Sequence, residues 1–315
     1  MRKILTITLN PALDSASEVG AVVPDLKLRC ENPSLEPGGG GVNVSRAITL
    51  LGGESTAFVA LGGVTGDMMA ALLAEAGVNL QRFDGPGMTR QSTAILEVST
   101  GRQFRFGQPG PVWQAEDAAR AIREIEALLL PEMLVVATGS LPPGVPDDFY
   151  VTLGQRVKTA GAEMIVDTSG AAQKALLAKG HGLMKVLRMD RHESEQLAGK
   201  PLESLHAAAQ FAGAIATRGL AELVIMARGA EGSVFASAEG GFHCVSPKGA
   251  VMSKVGAGDS FVGGLTLGLA RGLSLEDAGK LATATAAAAV MTPGSQLCER
   301  STTERLLADT MLTKL

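Results

Sequence analysis

One carboxylate stands beside a glycine-rich stretch that leads directly into an apolar helix. The stretch reads Val255-Gly-Ala-Gly-Asp-Ser260, and Asp259 falls in the first turn of the predicted helix. Gly256, Ala257 and Gly258 can turn backbone N–H groups toward an anion at the helix N-terminus, where the helix dipole also favours negative charge. A carboxylate there suits a general base that takes a hydroxyl proton during phosphoryl transfer. The alternative is that Asp259 only caps the helix.

A second glycine run, Pro37-Gly-Gly-Gly-Gly-Val-Asn43, also precedes a helix. Gly38 and Gly39 have no side chains, so a ligand could approach the backbone closely. Asn43 would lie just inside the helix, where it could bond a sugar hydroxyl. The alternative is a flexible loop.

Other charged residues lie where ligands commonly bind. Asp14 follows the first predicted strand, and open α/β sheets bind ligands at the carboxyl ends of their strands. Arg90 precedes another predicted strand and could grip a phosphate with two hydrogen bonds, although a lone arginine can also be simply solvated. Asp190 and Glu193 follow an apolar strand and could hold Mg²⁺ directly or through water, or they form an exposed acidic helix start. The sequence contains neither GxxxxGK[ST] nor GxGxxG, which excludes a Walker loop and disfavours a dehydrogenase.

These residues need a scaffold, and the hydrophobic pattern indicates an α/β fold. Short apolar runs rich in β-branched residues predict strands at 2–9, 57–61, 133–137, 164–167 and 223–226. Apolar residues at helical spacing predict helices at 44–51, 67–76, 116–130, 147–159 and 202–217. Strands that alternate with helices predict a doubly wound, mostly parallel sheet flanked by helices.

Two regions interrupt this alternation. Residues 12–36 lack a helical period, and residues 92–108 alternate in polarity around a turn at Thr100-Gly101. Both are predicted to form antiparallel strands outside the main sheet, as a small β-sheet lid on a single domain spanning 1–315. A hairpin is predicted at 233–246, and the chain is expected to end in two helices, at 259–270 and 275–291.

Composition limits the class of protein. The 315 residues are 46% hydrophobic and carry a net charge of −4, which favours a globular protein and disfavours nucleic acid or membrane partners. Three separated cysteines argue against a disulfide scaffold or a zinc site. No signal peptide and no apolar run of about 18 residues is evident, so a cytoplasmic protein is expected.

Taken together, the motifs resemble the ribokinase-like (phosphofructokinase B) sugar kinase family over essentially the whole chain. Thr8-Leu-Asn-Pro-Ala-Leu-Asp14 resembles the opening of its phosphosugar kinase branch, and the two glycine stretches resemble its two signatures. The runs Lys27-Leu-Arg-Cys30 and Thr89-Arg-Gln91 resemble its type 2 6-phosphofructokinases in particular. The resemblance implies a ribokinase-like fold and phosphorylation of the 1-hydroxyl of fructose 6-phosphate by MgATP.

The resemblance also implies a role for each motif residue. Asp259 is the base, and residues 256–258 form the anion hole. The implied substrate contacts are Asp14, Lys27, Arg29, Gly38, Gly39, Asn43, Arg90, Arg105 and Ser140. The implied nucleotide contacts are Arg188, Asp190, Glu193, Ala227, Gly229, Gly232 and Ala288. Asp190 and Glu193 would also hold Mg²⁺, and a monovalent cation such as K⁺ is implied at Ser253, Val255, Ala289, Thr292 and Gly294. A homodimer through the lid sheets is implied as well.

Some positions depart from the family pattern. The usual Lys-Pro-Asn-x-x-Glu is here Arg188-Met-Asp-Arg-His-Glu193, Ala227 replaces a serine, and Gln296 replaces an arginine near the cation loop. The added charge of Asp190 either strengthens magnesium binding or weakens nucleotide binding. A catalytically silent phosphosugar-binding protein is therefore one alternative. Fructose-1-phosphate and tagatose-6-phosphate kinases share the opening motif, but many have a lysine in the glycine run, so four glycines favour fructose 6-phosphate.

Overall fold

A computed structural model describes residues 1–294 and 296–315. The strands are β1 (Ile4–Thr8), β2 (Ala12–Val19), β3 (Glu31–Gly38), β4 (Thr56–Leu61), β5 (Asn79–Asp84), β6 (Arg90–Glu97), β7 (Arg102–Gly107), β8 (Leu134–Thr138), β9 (Glu163–Asp167), β10 (Met184–Met189), β11 (Ala221–Ala227), β12 (Ser233–Ser237), β13 (Gly240–Val245) and β14 (Met311–Lys314). The helices are α1 (Gly40–Leu50), α2 (Gly63–Glu75), α3 (Ala115–Glu126), α4 (Phe149–Thr159), α5 (Gly170–Lys179), α6 (Arg191–Ala198), α7 (Leu205–Thr217), α8 (Ala257–Ala270), α9 (Leu275–Ala289) and α10 (Arg300–Ala308).

The main sheet has ten strands in the order β14-β13-β12-β11-β10-β9-β8-β1-β4-β5. The strands from β11 to β5 run parallel, and β12, β13 and β14 add an antiparallel edge. From β1 the chain proceeds to β4 and β5 on one side, and later fills the other side from β8 onward. This reversal of direction places a crevice at the carboxyl ends of β1 and β8, where open α/β sheets bind ligands.

Helices cover both faces of the main sheet because successive strand residues point to opposite sides. Leu5 and Val135 belong to the core under α3, α4, α5 and α7. Ile4 and Leu134 belong to the core under α1, α8, α9 and α10. The central strands are therefore apolar on both faces, which is why they appear in the sequence as continuous apolar runs. The predicted doubly wound α/β fold is confirmed.

A second, four-stranded sheet, called the small sheet below, has the order β3-β2-β6-β7. The pairs β2–β3 and β6–β7 are antiparallel, as predicted, but the central pair β2–β6 is parallel. The prediction of purely antiparallel strands is therefore wrong for this pair. Both β2 and β6 follow strands of the parallel sheet, β1 and β5, and so leave the carboxyl edge in the same direction.

The C-terminal region differs from its prediction. The hairpin at 233–246 is confirmed as β12 and β13, but α9 is followed by a further helix and strand, α10 and β14. The expectation that the chain ends in two helices is therefore wrong. The sequence of α10 is polar and short, and β14 has only four residues, so neither produced a clear period. Among the described residues, no helix combines the length and the apolar character needed to cross a membrane.

Candidate active site

The N-terminus of α1 lies against the carboxyl ends of the two central strands. A Cβ on Gly40 would come within 2.5 Å of Oγ1 of Thr138, and one on Gly41 within 2.6 Å of Oγ1 of Thr8. Only glycines allow this close packing, because any larger residue would push α1 away from the strands. The glycine run is therefore closely packed at the crevice as the end of β3 and the start of α1, and it does not form the loop of the alternative interpretation.

Asp259 lies in the first turn of α8, and it does not cap that helix. The N-cap is Gly256, whose φ of 73° is in the left-handed region, and no side chain caps it. The Asp259 carboxylate instead accepts a hydrogen bond at Oδ2 from Nδ2 of Asn43, over 2.9 Å. The two glycine-led helices, α1 and α8, thus bring an amide and a carboxylate together from positions 216 residues apart in the chain.

Burial controls the protonation of Asp259. Burial raises the pKa of its carboxyl to about 6, and the nearby carboxylates of Asp167 and Asp14 also raise it. The hydrogen bond from Asn43 and the charge of Arg188 act in the opposite direction. A carboxylate with a pKa near 6 is a stronger base than an exposed aspartate and is still mostly ionised at neutral pH, which suits proton abstraction.

A partly buried guanidinium borders the glycines at the start of α8. A Cβ on Gly258 would lie 3.2 Å from both Nη atoms of Arg188. Arg188 donates from Nη1 to both carboxylate oxygens of Asp167, over 3.1 and 3.2 Å. Burial lowers the pKa of Arg188, but the Asp167, Glu193 and Asp259 carboxylates raise it by more. The net effect is a raised pKa, so the guanidinium stays charged.

Asp167 is a site residue that the sequence reasoning missed. It is the last residue of β9, so it lies at the same carboxyl edge as the crevice. Its place at the end of the predicted strand at 164–167 was the available signal, because that is where such sheets bind ligands.

The small sheet brings a carboxylate and two arginines to the other side of the crevice. Burial raises the pKa of Asp14 to about 6, and the charges of Arg90 and Arg105 counteract part of that rise. A Cβ on Gly38, which pairs with Ala12 two residues before Asp14 in β2, would overlap Oδ2 of Asp14. Arg90 donates from Nε to the carbonyl of Asn10 and from Nη1 to the carbonyl of Gln108. The two arginines make this end of the crevice cationic, with one carboxylate beside them. An anionic sugar could bind there through its phosphate and its hydroxyls.

Three other predicted substrate contacts lie at the surface. Ser140 is exposed just beyond β8, and its Oγ accepts a hydrogen bond from Nδ2 of Asn10 over 3.0 Å. Lys27 and Arg29 are exposed in the loop between β2 and β3. Among the described residues, neither has a side-chain hydrogen bond or an ion pair, so this single chain does not bring them into the crevice.

Asp190 and Glu193 form a capping box at the start of α6. Oδ1 of Asp190 accepts from the backbone N–H of Glu193, and Oε2 of Glu193 accepts from that of Asp190, both over 2.8 Å. The pair is thus a helix start, and each carboxylate keeps one oxygen outside the box. Burial raises the pKa of Glu193, as do the charges of Asp190 and Asp167. In the described part of the chain, no group of three or more metal-ligating side chains could hold an ion unaided.

Three of the other predicted nucleotide contacts lie at or just beyond the end of β11. Ala227 ends β11, Gly229 opens a short 3₁₀ turn, and Gly232 follows that turn with a φ of 89°. A Cβ on Gly232 would overlap the carbonyl oxygen of Cys244. Ala288 is fully buried in α9.

The predicted monovalent-cation residues also come together. The backbone N–H groups of Met252 and Ser253 donate to the carbonyl of Val290, which joins the 253–255 loop to the end of α9. Oγ1 of Thr292 lies 2.7 Å from the carbonyl oxygen of Ala289 and 2.8 Å from that of Gln296. A hydroxyl has one proton, so it cannot fully satisfy both carbonyls. Gly294 follows Thr292 by two residues and has a φ of 61°, in the left-handed region.

The fold and the site together define a carbohydrate kinase. The family model for pfkB family carbohydrate kinases matches residues 7–302. The chain therefore belongs to the pfkB family. It is 37% identical over 305 residues to the ATP-dependent 6-phosphofructokinase isozyme 2 of Mycobacterium tuberculosis, a match that covers 96% of this chain and 88% of that protein.

Two crystal structures of phosphofructokinase-2 from Escherichia coli resemble this chain over 98% of its length and 99% of theirs. The complex with potassium has a TM-score of 0.92 and 35% sequence identity. The complex with fructose-6-phosphate has a TM-score of 0.91 and 34% identity. The predicted ribokinase-like family and the predicted class of ATP-dependent sugar kinase are thereby confirmed.

Proposed function

We propose that this protein transfers the γ-phosphoryl group of ATP to the 1-hydroxyl of fructose 6-phosphate, which yields fructose 1,6-bisphosphate and ADP. The observation that carries this conclusion is the partly buried Asp259 carboxylate, with a pKa of about 6, at the glycine-led N-terminus of α8. The near full-length similarity to 6-phosphofructokinases supports the choice of fructose 6-phosphate.

Asp259 acts as the general base. Its carboxylate takes the proton of the attacking hydroxyl as the new P–O bond forms. The amide of Asn43, bonded to Oδ2, fixes the carboxylate orientation and leaves Oδ1 for the substrate hydroxyl. Because Asn43 is committed to Asp259, its first role is to orient the base, and a contact with a sugar hydroxyl is secondary.

The negative charge on the transferring group is met by donors on and beside α8. The backbone N–H groups of 256–258 and the N-terminal end of the helix favour an anion, and they need no rearrangement during the reaction. Arg188 adds a fixed positive charge against Gly258, held in place by Asp167. A chain with a net charge of −4 can thus bind two anionic substrates through local donors.

The phosphosugar is bound between the glycine run of α1 and the small sheet. Asp14 and the backbone at Gly38 and Gly39 contact the sugar hydroxyls, and Ser140 contributes from β8. Arg90 and Arg105 bind the phosphate that the sugar already carries. Lys27 and Arg29 complete this end from a partner subunit, which agrees with their exposure in the single chain.

Mg²⁺ enters with ATP, and the free carboxylate oxygens of Asp190 and Glu193 suit it because hard cations prefer oxygen ligands. When bound, Mg²⁺ neutralises charge on the nucleotide phosphates. The nucleotide lies along Arg188, Ala227, Gly229, Gly232 and Ala288. The carbonyl and hydroxyl oxygens at Ser253, Val255, Ala289, Thr292 and Gly294 form a site of the right chemistry for K⁺. We further propose a single domain, a homodimer through the small sheets and a cytoplasmic location.

The test is an ADP-release assay with three acceptors: fructose 6-phosphate, fructose 1-phosphate and tagatose 6-phosphate. We expect the highest kcat/KM with fructose 6-phosphate. A higher kcat/KM with fructose 1-phosphate or tagatose 6-phosphate would change the assigned substrate, but the protein would still be a phosphosugar kinase. Calorimetric binding of fructose 6-phosphate without ADP release would instead favour a silent phosphosugar-binding protein.

A further inference from the structure

We propose that Asn10 is a positioning residue that makes the Ser140 hydroxyl a hydrogen-bond donor toward an oxygen of the phosphosugar. This inference rests on the proposed function and adds a residue that strengthens binding of the phosphosugar. Three observations support it: the place of Asn10 in the fold, the direction of its amide hydrogen bond and the enclosure of its remaining side-chain oxygen.

Asn10 lies two residues beyond the end of β1, at the crevice. The strands β1 and β8 are parallel neighbours, with Ile7 paired to Ala137. Continuing both chains past their ends brings Asn10 opposite Ser140. Pro11 follows directly, and a residue before proline is held in an extended conformation, which limits the motion of Asn10.

The amide of Asn10 fixes the polarity of the Ser140 hydroxyl. Nδ2 lies 3.0 Å from Oγ of Ser140, and an amide nitrogen can only donate. Oγ is therefore the acceptor in this bond, and the single hydroxyl proton of Ser140 is directed elsewhere. Since Ser140 is exposed at the crevice, that proton is available to an acceptor oxygen of a bound sugar phosphate.

The other side-chain atom of Asn10 is enclosed. Oδ1 is buried and has no hydrogen-bond partner among the described residues. It lies against Gly110, where any Cβ would overlap it. The carboxamide is thus packed tightly at the glycine, with its one hydrogen bond directed at Ser140.

The backbone of Asn10 contacts the phosphate-binding side. Its carbonyl accepts from Nε of Arg90 over 3.3 Å. One residue therefore connects the two groups proposed to face the ligand, Ser140 through the side chain and Arg90 through the main chain. Truncation of the side chain leaves the bond to Arg90 in place, so the Ser140 effect can be measured separately.

The test uses Asn10→Ala, Ser140→Ala and the double variant. A donor that contacts a non-reacting oxygen strengthens binding in the ground state and the transition state equally, so its loss raises KM and not kcat. We expect N10A and S140A each to raise KM for fructose 6-phosphate by about tenfold, the size of one hydrogen bond. The double variant should resemble S140A within about twofold, because Asn10 acts through Ser140.

Asn79 offers a matched control outside the crevice. Its Nδ2 donates to Oγ1 of Thr56 over 3.0 Å, the same kind of bond as that between Asn10 and Ser140. We expect N79A to leave KM unchanged. A second variant, Asn10→Asp, keeps the volume but replaces the donor by an acceptor that captures the Ser140 proton. It should raise KM at least as much as N10A.

An unchanged KM in N10A, or effects of N10A and S140A that multiply in the double variant, would overturn the proposal. Calorimetric titration of fructose 6-phosphate into each variant gives the same comparison without turnover. If the native protein binds the sugar but releases no ADP, the proposed kinase function fails while the role of Asn10 can still be judged from these affinities.

Discussion

At the scale of single residues, the site depends on a carboxylate whose charge is costly to bury. Asp259 gains one amide hydrogen bond from Asn43, yet its pKa stays near 6 because burial outweighs that bond. Asp14 shows the same balance, with two arginines opposing its burial. Both carboxylates are therefore needed in the ionised form near neutral pH, Asp259 to take the proton and Asp14 to accept hydrogen bonds from the sugar.

The pH dependence of activity follows from these two groups. Activity should be present above about pH 6 and should be lost as the pH falls through that value, because the base becomes protonated. Replacing Asn43 with Ala removes a bond to the ionised carboxylate, so the acid limb of kcat/KM should move to higher pH. The measurement is the pH profile of kcat/KM for fructose 6-phosphate, in the native protein and in N43A, at saturating ATP. An acid limb that stays in place or moves to lower pH in N43A would contradict this assignment.

Gly38 provides a test of the sugar site. A Cβ there would overlap Oδ2 of Asp14, so Gly38→Ala should displace that carboxylate and raise KM for fructose 6-phosphate by about tenfold or more. Gly20, near the end of β2, has no atom within 4 Å of an added Cβ and is the matched control. Steady-state kinetics of both variants gives the comparison. Equal KM values would show that the Asp14 position does not matter for binding.

At the scale of elements, α8 is held by close contact with α1 and α9. A Cβ on Gly263 would lie 2.9 Å from Cβ of Ala47 in α1, and one on Gly264 would lie 2.6 Å from Oγ1 of Thr285 in α9. These glycines let three helices pack at short distances behind the anion hole. The position of Asp259 thus depends on residues four and five positions further along its own helix, just over one turn away.

Gly264→Ala should destabilise the protein by about 1–3 kcal/mol, the usual cost of overpacking a close contact. Gly213, inside α7, has only one atom near an added Cβ, at 3.9 Å. Gly213→Ala should therefore stabilise by about 0.5–1 kcal/mol, as expected for alanine in an open helical position. Urea unfolding of both variants measures the difference. A stabilising G264A would contradict the account of the α8 packing.

The elements with a strong hydrophobic pattern and the residues of the glycine motifs could be predicted from the sequence. The central strands and the glycine-led helices α1 and α8 were predictable because burial on two faces and glycine clusters are visible locally. The parallel β2–β6 pair and α10 were not, since pairing between distant strands and a short polar helix have no local period. The same limit applies inside the site. The bonds of Asn43 to Asp259 and of Arg188 to Asp167 join segments that only the folded sheet brings together.

At the scale of the whole molecule, the small sheet exposes apolar side chains on a single chain. Leu35 of β3 is 47% exposed and Phe106 of β7 is 60% exposed. Exposed apolar residues on a sheet are typical of an interface. Together with the exposed Lys27 and Arg29, they support a dimer in which each small sheet covers the other subunit.

Sedimentation tests the dimer. We expect a dimer at micromolar concentration, and Phe106→Asp should shift the protein toward the monomer by placing a charge in the interface. KM for fructose 6-phosphate should rise in that variant, because Lys27 and Arg29 no longer reach a partner's site. A native monomer with full activity would remove both the dimer and the shared site from the account.

Asp259→Asn tests the central claim most directly, namely that the partly buried carboxylate at the N-terminus of α8 performs the proton transfer of a phosphosugar kinase. An amide cannot accept the proton, so kcat for ADP release with fructose 6-phosphate should fall by about 10²- to 10⁴-fold. Calorimetric binding of the sugar should stay close to native. The free energy of unfolding at pH 8 should rise by on the order of 1–3 kcal/mol, because the folded protein no longer holds this one carboxylate ionised at a partly desolvated position. A variant that binds the sugar and turns over at a near-native rate would contradict the account.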